Sequence, residues 1–140
     1  MNVPLCLPDI GNDEIKILTS VLKSGWLAHG KYNDELELLF AEKIGVEYAI
    51  TMNSCTSALE IALKASNIKG EVIVPSFTFI ATANAVINSD CTPVFCDVDL
   101  ETRNMTPEFI ASCITKDTEA VIVVHYAGKP CRMDEIKSLC

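Results

Sequence analysis

The chain has 140 residues, 49% of them apolar, enough for one domain with a sizeable core. Eleven Lys and Arg against 19 Asp and Glu leave a formal charge of -8, with no basic stripe and no run of like charges, which argues against a nucleic-acid partner. The start, "MNVPLCLPDIGNDE", carries no basic leader, and no later segment supplies the roughly 18 uninterrupted apolar residues of a membrane span, so a soluble, cytoplasmic protein is expected.

In "GNDEIKILTSVLKSG" the residues Ile15, Leu18 and Leu22 recur at helical spacing, with Asn12 or Asp13 available as a cap and Gly25 as the stop. After the loop "WLAHGK", the segment "YNDELELLFAEKIG" repeats the pattern with Leu36, Leu39, Phe40 and Ile44 before Gly45. From Glu47 the period changes. "YAITM" reads as a strand, "SALEIALKASN" as a helix, "EVIVP" as a strand, "FIATANAVINS" as a helix and "PVFCDV" as a strand. "TPEFIASCI" follows as a helix capped by Thr106 with Pro107 in its first turn, then "EAVIVVH" as a strand and "MDEIKSLC" as a helix. Four strand–helix units in a row, with strands apolar throughout, predict an α/β fold: a mainly parallel sheet flanked by helices. No internal repeat, flexible linker or low-complexity segment interrupts it. The last residues, "DEIKSLC", end inside an apparent helix, which reads as a truncation.

The cysteines, Cys6, Cys55, Cys91, Cys96, Cys113, Cys131 and Cys140, are odd in number and contain no C-x-x-C pair, so they are expected to be reduced, small core residues. His29 and His125 stand at no recognisable ligand spacing, and no metal site is expected.

In parallel α/β sheets ligands sit at the carboxyl ends of strands, where helix N-termini direct unpaired N–H groups and a partial positive charge outward. The corner "NSCTS", Asn53 to Ser57, occupies such a place, and the hydroxyls of Ser54 and Thr56 would add donors suited to a phosphate monoester. Either residue could equally serve as the ordinary cap of the helix that follows. The corner lacks the glycine patterns of a dinucleotide fold or a P-loop. In "VIVPSFTF" the next strand ends at Pro75, and Ser76, Phe77, Thr78 and Phe79 would line the same rim, an aromatic face able to stack on a planar heterocycle or to fill the core.

These segments resemble the DegT/DnrJ/StrS family of pyridoxal-phosphate-dependent sugar aminotransferases. "SGWLAHGKYNDELELLFAEKIG", "NSCTSALEIALKA", "EVIVPSFTFIATANAVINSDCTPVFCDVDLETRNMTPEFI" and "AVIVVHYAGKPCRMDEI" follow one another in that family's order and spacing, from about Pro8 to Cys140. The resemblance implies the aspartate-aminotransferase-type (fold type I) large domain, here truncated: residues 1–46 as an N-terminal helical segment and 47–140 as a partial cofactor-binding α/β domain. It implies transfer of an amino group from an amino acid, usually glutamate, to a keto nucleotide-sugar for polysaccharide or cell-surface sugars, with pyridoxal 5'-phosphate (PLP) as cofactor and a homodimer as the full-length assembly.

On this resemblance the cofactor phosphate falls on Ser54, Cys55 and Thr56, with cysteine where a small glycine or alanine is usual, and the ring-stacking aromatic falls on Phe79. The family's "GWLTxGP" loop matches Gly25 to Lys31, with Ala28 for threonine and Lys31 for proline, and places Trp26 on the substrate side; a hydrophobic anchor between helices is the other reading of Trp26. "HYAG" places His125 close to the cofactor, unless it is simply a satisfied buried histidine. Asp97 and Asp99 are read as turn and cap residues. The lysine that forms the Schiff base, and the acidic residue that holds the pyridine nitrogen protonated, are expected beyond Cys140, so Lys64, Lys69 and Lys129 receive no catalytic role and the 140-residue chain alone is expected to be inactive. The alternatives are a sugar dehydratase of the same family, with histidine in place of that lysine, and a non-catalytic α/β binding module.

Overall fold

The computed structural model describes residues 6–140; residues 1–5, which open the segment 1–46, lie outside the described residues. The chain divides into two compact units, Met1–Thr51 and Met52–Cys140.

The first unit holds α1 (Asn12–Ser24) and α2 (Lys31–Ile44). Gly11, not Asn12 or Asp13, caps α1: the helix takes up Asn12 as its first residue, and the Glu14 carboxylate reaches back to accept the Gly11 N–H at 2.7 Å. Both helices end as expected on left-handed glycines, Gly25 at φ 72° and Gly45 at φ 76°, a conformation that a side chain would strain. Within the two helices only Ala41 is buried, and Ile15, Leu18, Leu22, Leu36, Leu39 and Phe40 are each more than half exposed.

The expected strand "YAITM" does not form. Tyr48 to Met52 pair with no strand among the described residues, and Tyr48 and Ile50 stand exposed. Alternating apolar residues supply the propensity for a strand, but a ladder also needs a partner.

The second unit holds α3 (Cys55–Ala65), β1 (Glu71–Pro75), α4 (Ala81–Asn88), β2 (Thr92–Cys96), α5 (Pro107–Cys113), β3 (Thr118–Val121), a single 3-10 turn at Tyr126–Gly128, and α6 (Met133–Leu139). Its sheet has three strands in the order β2-β1-β3, both pairings parallel. Successive residues of β1 enter opposite cores. Val72 and Val74 pack with Leu63 of α3, Val86 of α4 and Cys91, whereas Ile73 packs with Cys96, Met105, Ile110 of α5, Cys131 and Ile136 of α6. A strand covered on both faces must be apolar throughout, which explains "VIV".

Prolines trim the sheet where a ladder hydrogen bond would be lost. Thr92 donates to Gly70 O and Cys96 O accepts from Ser76 N, so Pro93, alternating with them, turns its missing donor to the open edge of β2. On the other side Ile122 N donates to Ile73 O, and the next rung would need an N–H from Pro75. The expected strand Glu119–His125 therefore stops at Val121. Thr106 caps α5 as expected, its hydroxyl accepting the Phe109 N–H at 3.3 Å with Pro107 in the first turn.

Candidate functional site

α3 joins β1 through residues 66–70 and packs Leu63 on Val72 and Val74, so it runs back along the strand and its first turn lies at the carboxyl ends of the strands. Ser54 is the N-cap: its Oγ accepts the Ser57 N–H at 3.1 Å and lies 3.0 Å from the Ser57 hydroxyl. One of the two readings of Ser54 is thereby realised, since it caps the helix. With Ser57 N and Ala58 N taken up, by Ser54 Oγ and Ser54 O, the N–H groups of Cys55 and Thr56 remain without a helical acceptor. Cys55 and Thr56 are exposed. If Ser54 donates to Ser57, the Ser57 hydroxyl keeps its own proton for a ligand. The first turn of α3 thus offers two backbone donors, the Thr56 and Ser57 hydroxyls and the positive end of an 11-residue helix, donors of the kind that suit a phosphate dianion. Ser57 was not singled out from sequence, although it completes the polar run of the corner.

After β1, Phe79 stands 78% exposed just ahead of α4, free to lay its face on a flat ligand. Phe77 is occupied instead: its ring packs on Tyr126 with centroids 5.2 Å apart, tying the loop after β1 to the turn after β3. Thr78 Oγ1 lies 3.0 Å from Thr82 Oγ1 and so fixes the same loop to α4.

His125 begins that turn. Its Nδ1 accepts the Cys131 N–H at 3.1 Å, so the neutral ring carries its proton on Nε2, which has no partner among the described residues. His125 is exposed rather than a buried, satisfied histidine. The turn itself is gripped by Asn104, 4% exposed, whose Oδ1 accepts Tyr126 N–H and whose Nδ2 donates to Lys129 O, both at 2.9 Å. Nothing in "DLETRNM" announces this role, because the partners lie 22 and 25 residues away.

Asp99 is a turn residue, as expected. Its Oδ1 accepts from Glu101 N and Thr102 N, and the Thr102 N–H, its largest influence, holds the carboxyl below the usual range. Asp97 is exposed and makes no side-chain hydrogen bond among the described residues. Lys64 is paired with Glu60 at 2.5 Å, one helical turn away. The seven cysteines are free; Cys91, Cys96 and Cys131 are buried, while Cys6, Cys55 and Cys140 are exposed and so depart from the core role expected of them. Burial, and next the neighbouring Cys113, push the Cys96 thiol up to about 12, and burial raises Cys131 as well; neither is a nucleophile at neutral pH.

In the first unit, Trp26 folds its indole over Gly30 and donates Nε1–H to His29 O at 2.8 Å. A side chain at Gly30 would meet that ring at 3.0 Å, so the glycine is there for space. His29 lies between two carboxylates, Nδ1 at 3.7 Å from Asp34 and Nε2 at 3.4 Å from Glu37. Opposite ring nitrogens thus face the two carboxylates, and the three side chains gather within 4.8 Å of one another. Glu37 is held low chiefly by the Thr51 N–H, which its carboxylate accepts at 2.7 Å. No helix among the described residues is long and apolar enough to cross a membrane.

The sequence pattern of the DegT/DnrJ/EryC1/StrS aminotransferase family matches residues 8–140. The spore coat polysaccharide biosynthesis protein SpsC of Bacillus subtilis is 43% identical over 136 residues, 96% of this chain and 35% of that protein. Among solved structures, an aminotransferase from Psychrobacter cryohalolentis superposes with a TM-score of 0.90 at 42% identity, over 94% of this chain and 34% of its own. The PLP-form of the putative sugar aminotransferase Spr1654 from Streptococcus pneumoniae gives 0.92 at 31% identity, over 99% and 36%. The chain thus spans about a third of the length of the relatives it matches.

Proposed function

This chain belongs to the DegT/DnrJ/EryC1/StrS aminotransferase family, with its fold-type I α/β architecture, and from that premise we propose that the whole protein is a PLP-dependent sugar aminotransferase. The amino group comes from an amino acid, glutamate in our reading, and goes to a keto group of a nucleotide-linked sugar in polysaccharide biosynthesis; the polysaccharide role named for SpsC supports that destination. The working assembly is a cytoplasmic homodimer.

One observation carries the reading: the first turn of α3, where unpaired amides and hydroxyls gather without a counter-charge. They fit the cofactor's phosphate. In this assignment Cys55 and Thr56 bind it through their N–H groups, and Thr56 and Ser57 add their hydroxyls. Cys55 contributes backbone only, which is why a sulfur is tolerated where a smaller residue is usual. Phe79 stacks on the pyridine ring and fixes its plane, worth on the order of 1 kcal/mol beyond burial. His125 offers Nε2–H at the same rim, and Trp26 belongs to the substrate side. PLP, when bound, supplies the electron sink and carries the amino group between the two substrates. No lysine of this chain is assigned to that chemistry, and the 140-residue chain by itself is inactive in our reading.

The test is a spectroscopic half-reaction. The intact protein is loaded with PLP, glutamate is added, and conversion of the cofactor to its amine form is followed by absorbance; a keto nucleotide-sugar should then restore the aldehyde form. A protein that binds PLP but is converted by no amino acid overturns the proposal. Turnover by the purified 140-residue chain would refute its inactivity.

A further inference from the structure

We propose that Asn104 is a positioning residue of the rim site: it holds the His125–Gly128 turn so that His125 presents Nε2–H to an anionic oxygen of the bound cofactor. The inference rests on the PLP reading for its ligand, and on this chain's own geometry for its mechanism.

The turn carries backbone strain. Ala127 sits at φ 51° and Gly128 at φ 79°, and for Ala127 the left-handed conformation brings its Cβ against the backbone, a strain that glycine escapes. Within the turn two backbone closures stand against that cost, Gly128 N to His125 O at 3.1 Å and Lys129 N to Tyr126 O at 3.0 Å. The Asn104 carboxamide, itself buried, brackets the strained residue from both sides, accepting at Tyr126 and donating at Lys129. Its own backbone is fixed in turn, Asn104 O accepting from Asp99 N at 2.9 Å and Asn104 N donating to Thr102 Oγ1 at 3.3 Å. With the turn set, Cys131 N–H meets His125 Nδ1 and the proton stays on Nε2. The Tyr126 ring meanwhile rests on Phe77. A carboxamide in the loop after β2 thereby determines which nitrogen of a histidine after β3 is the donor.

The test uses the intact protein. In wild type, side-chain 15N shifts should show His125 with an unprotonated Nδ1 and a protonated Nε2, and the Tyr126 amide should be protected from hydrogen exchange. Asn104→Ala should average the two nitrogen shifts and weaken PLP binding roughly tenfold. His125→Ala should weaken it by a similar factor, and the double variant by about that factor once, because Asn104 acts through His125. Ile136→Val, a core change of modest cost, serves as the control for lost stability and should leave both readouts in place. Multiplying effects in the double variant, or unchanged His125 shifts in Asn104→Ala, overturn the inference. A wild-type Tyr126 amide that exchanges at the open-chain rate overturns it even if the variants fail to fold. If wild type binds no PLP, the functional proposal falls, while the shifts and the exchange still decide the role of Asn104.

Discussion

Ser54 Oγ accepts the Ser57 N–H at 3.1 Å, so the residue that orients Ser57 beside the proposed phosphate site is also the cap that starts α3. The two duties are separable. Ser54→Ala should cost about 1 kcal/mol of stability, whereas Ser54→Gly should cost only a few tenths, because glycine is itself an acceptable cap. Both lack the hydroxyl that orients Ser57. If that hydroxyl matters to the phosphate, a PLP titration of the stable glycine variant shows weaker binding; unchanged affinity leaves Ser54 as a cap alone.

Cys55 reports on the same spot from its sulfur. Alkylation at mildly alkaline pH should modify the exposed Cys6, Cys55 and Cys140 and spare the buried Cys91, Cys96 and Cys131. Added PLP should slow the labelling of Cys55 while leaving Cys6 unchanged, read by mass spectrometry of the peptides. Binding of PLP with no protection at Cys55 would place the phosphate elsewhere.

Ile73 is the side chain on which α5 and α6 close, fully buried at the middle of the central strand. Ile73→Ala should destabilise the fold by roughly 2–5 kcal/mol, since neighbours fixed on rigid elements cannot refill the space. Denaturant unfolding that shifts by less than about 1 kcal/mol would mean that this core relaxes freely.

Glu108 of α5 is tied to Arg132 ahead of α6, and the guanidinium holds its carboxyl down to about 2 from an ordinary 4.5. A carboxyl held low in the folded chain favours folding above its ordinary value and withdraws that support as pH falls from about 4.5 to about 2. Both partners are solvent-exposed, so the effect should be small and should shrink in high salt. Denaturant midpoints of wild type and Glu108→Gln should differ at neutral pH and converge through that acid window. A difference that persists unchanged to the lowest pH would show that the pair is not its source.

Much of the fold was legible in the sequence because it is written in neighbouring residues. "EVIVP" is apolar on both faces and ends on proline, and Thr106 with Pro107 announces α5 by local chemistry alone. "YAITM" misled for a physical reason: propensity is a property of the segment, pairing a property of its surroundings. The polar corner that opens α3 could be drawn from hydroxyls beside a helix start. The grip of Asn104 on Tyr126 and Lys129 could not, because it depends on how two loops from different strands meet. Nor does the sequence separate Phe77 from Phe79, two residues apart; the structure gives the first to Tyr126 and leaves the second exposed.

Pro75 ends one rung of the sheet by having no hydrogen to give, and the effect is directional. At the amino ends β1 is zipped to both neighbours, whereas at the carboxyl ends the seam toward β3 is undone just where the loop from Ser76 and the turn from His125 emerge. The sheet is thus laced on both sides of β1 at its base and on one side only at its lip. Side chains along that lip can be exchanged without pulling a single stitch from the weave below.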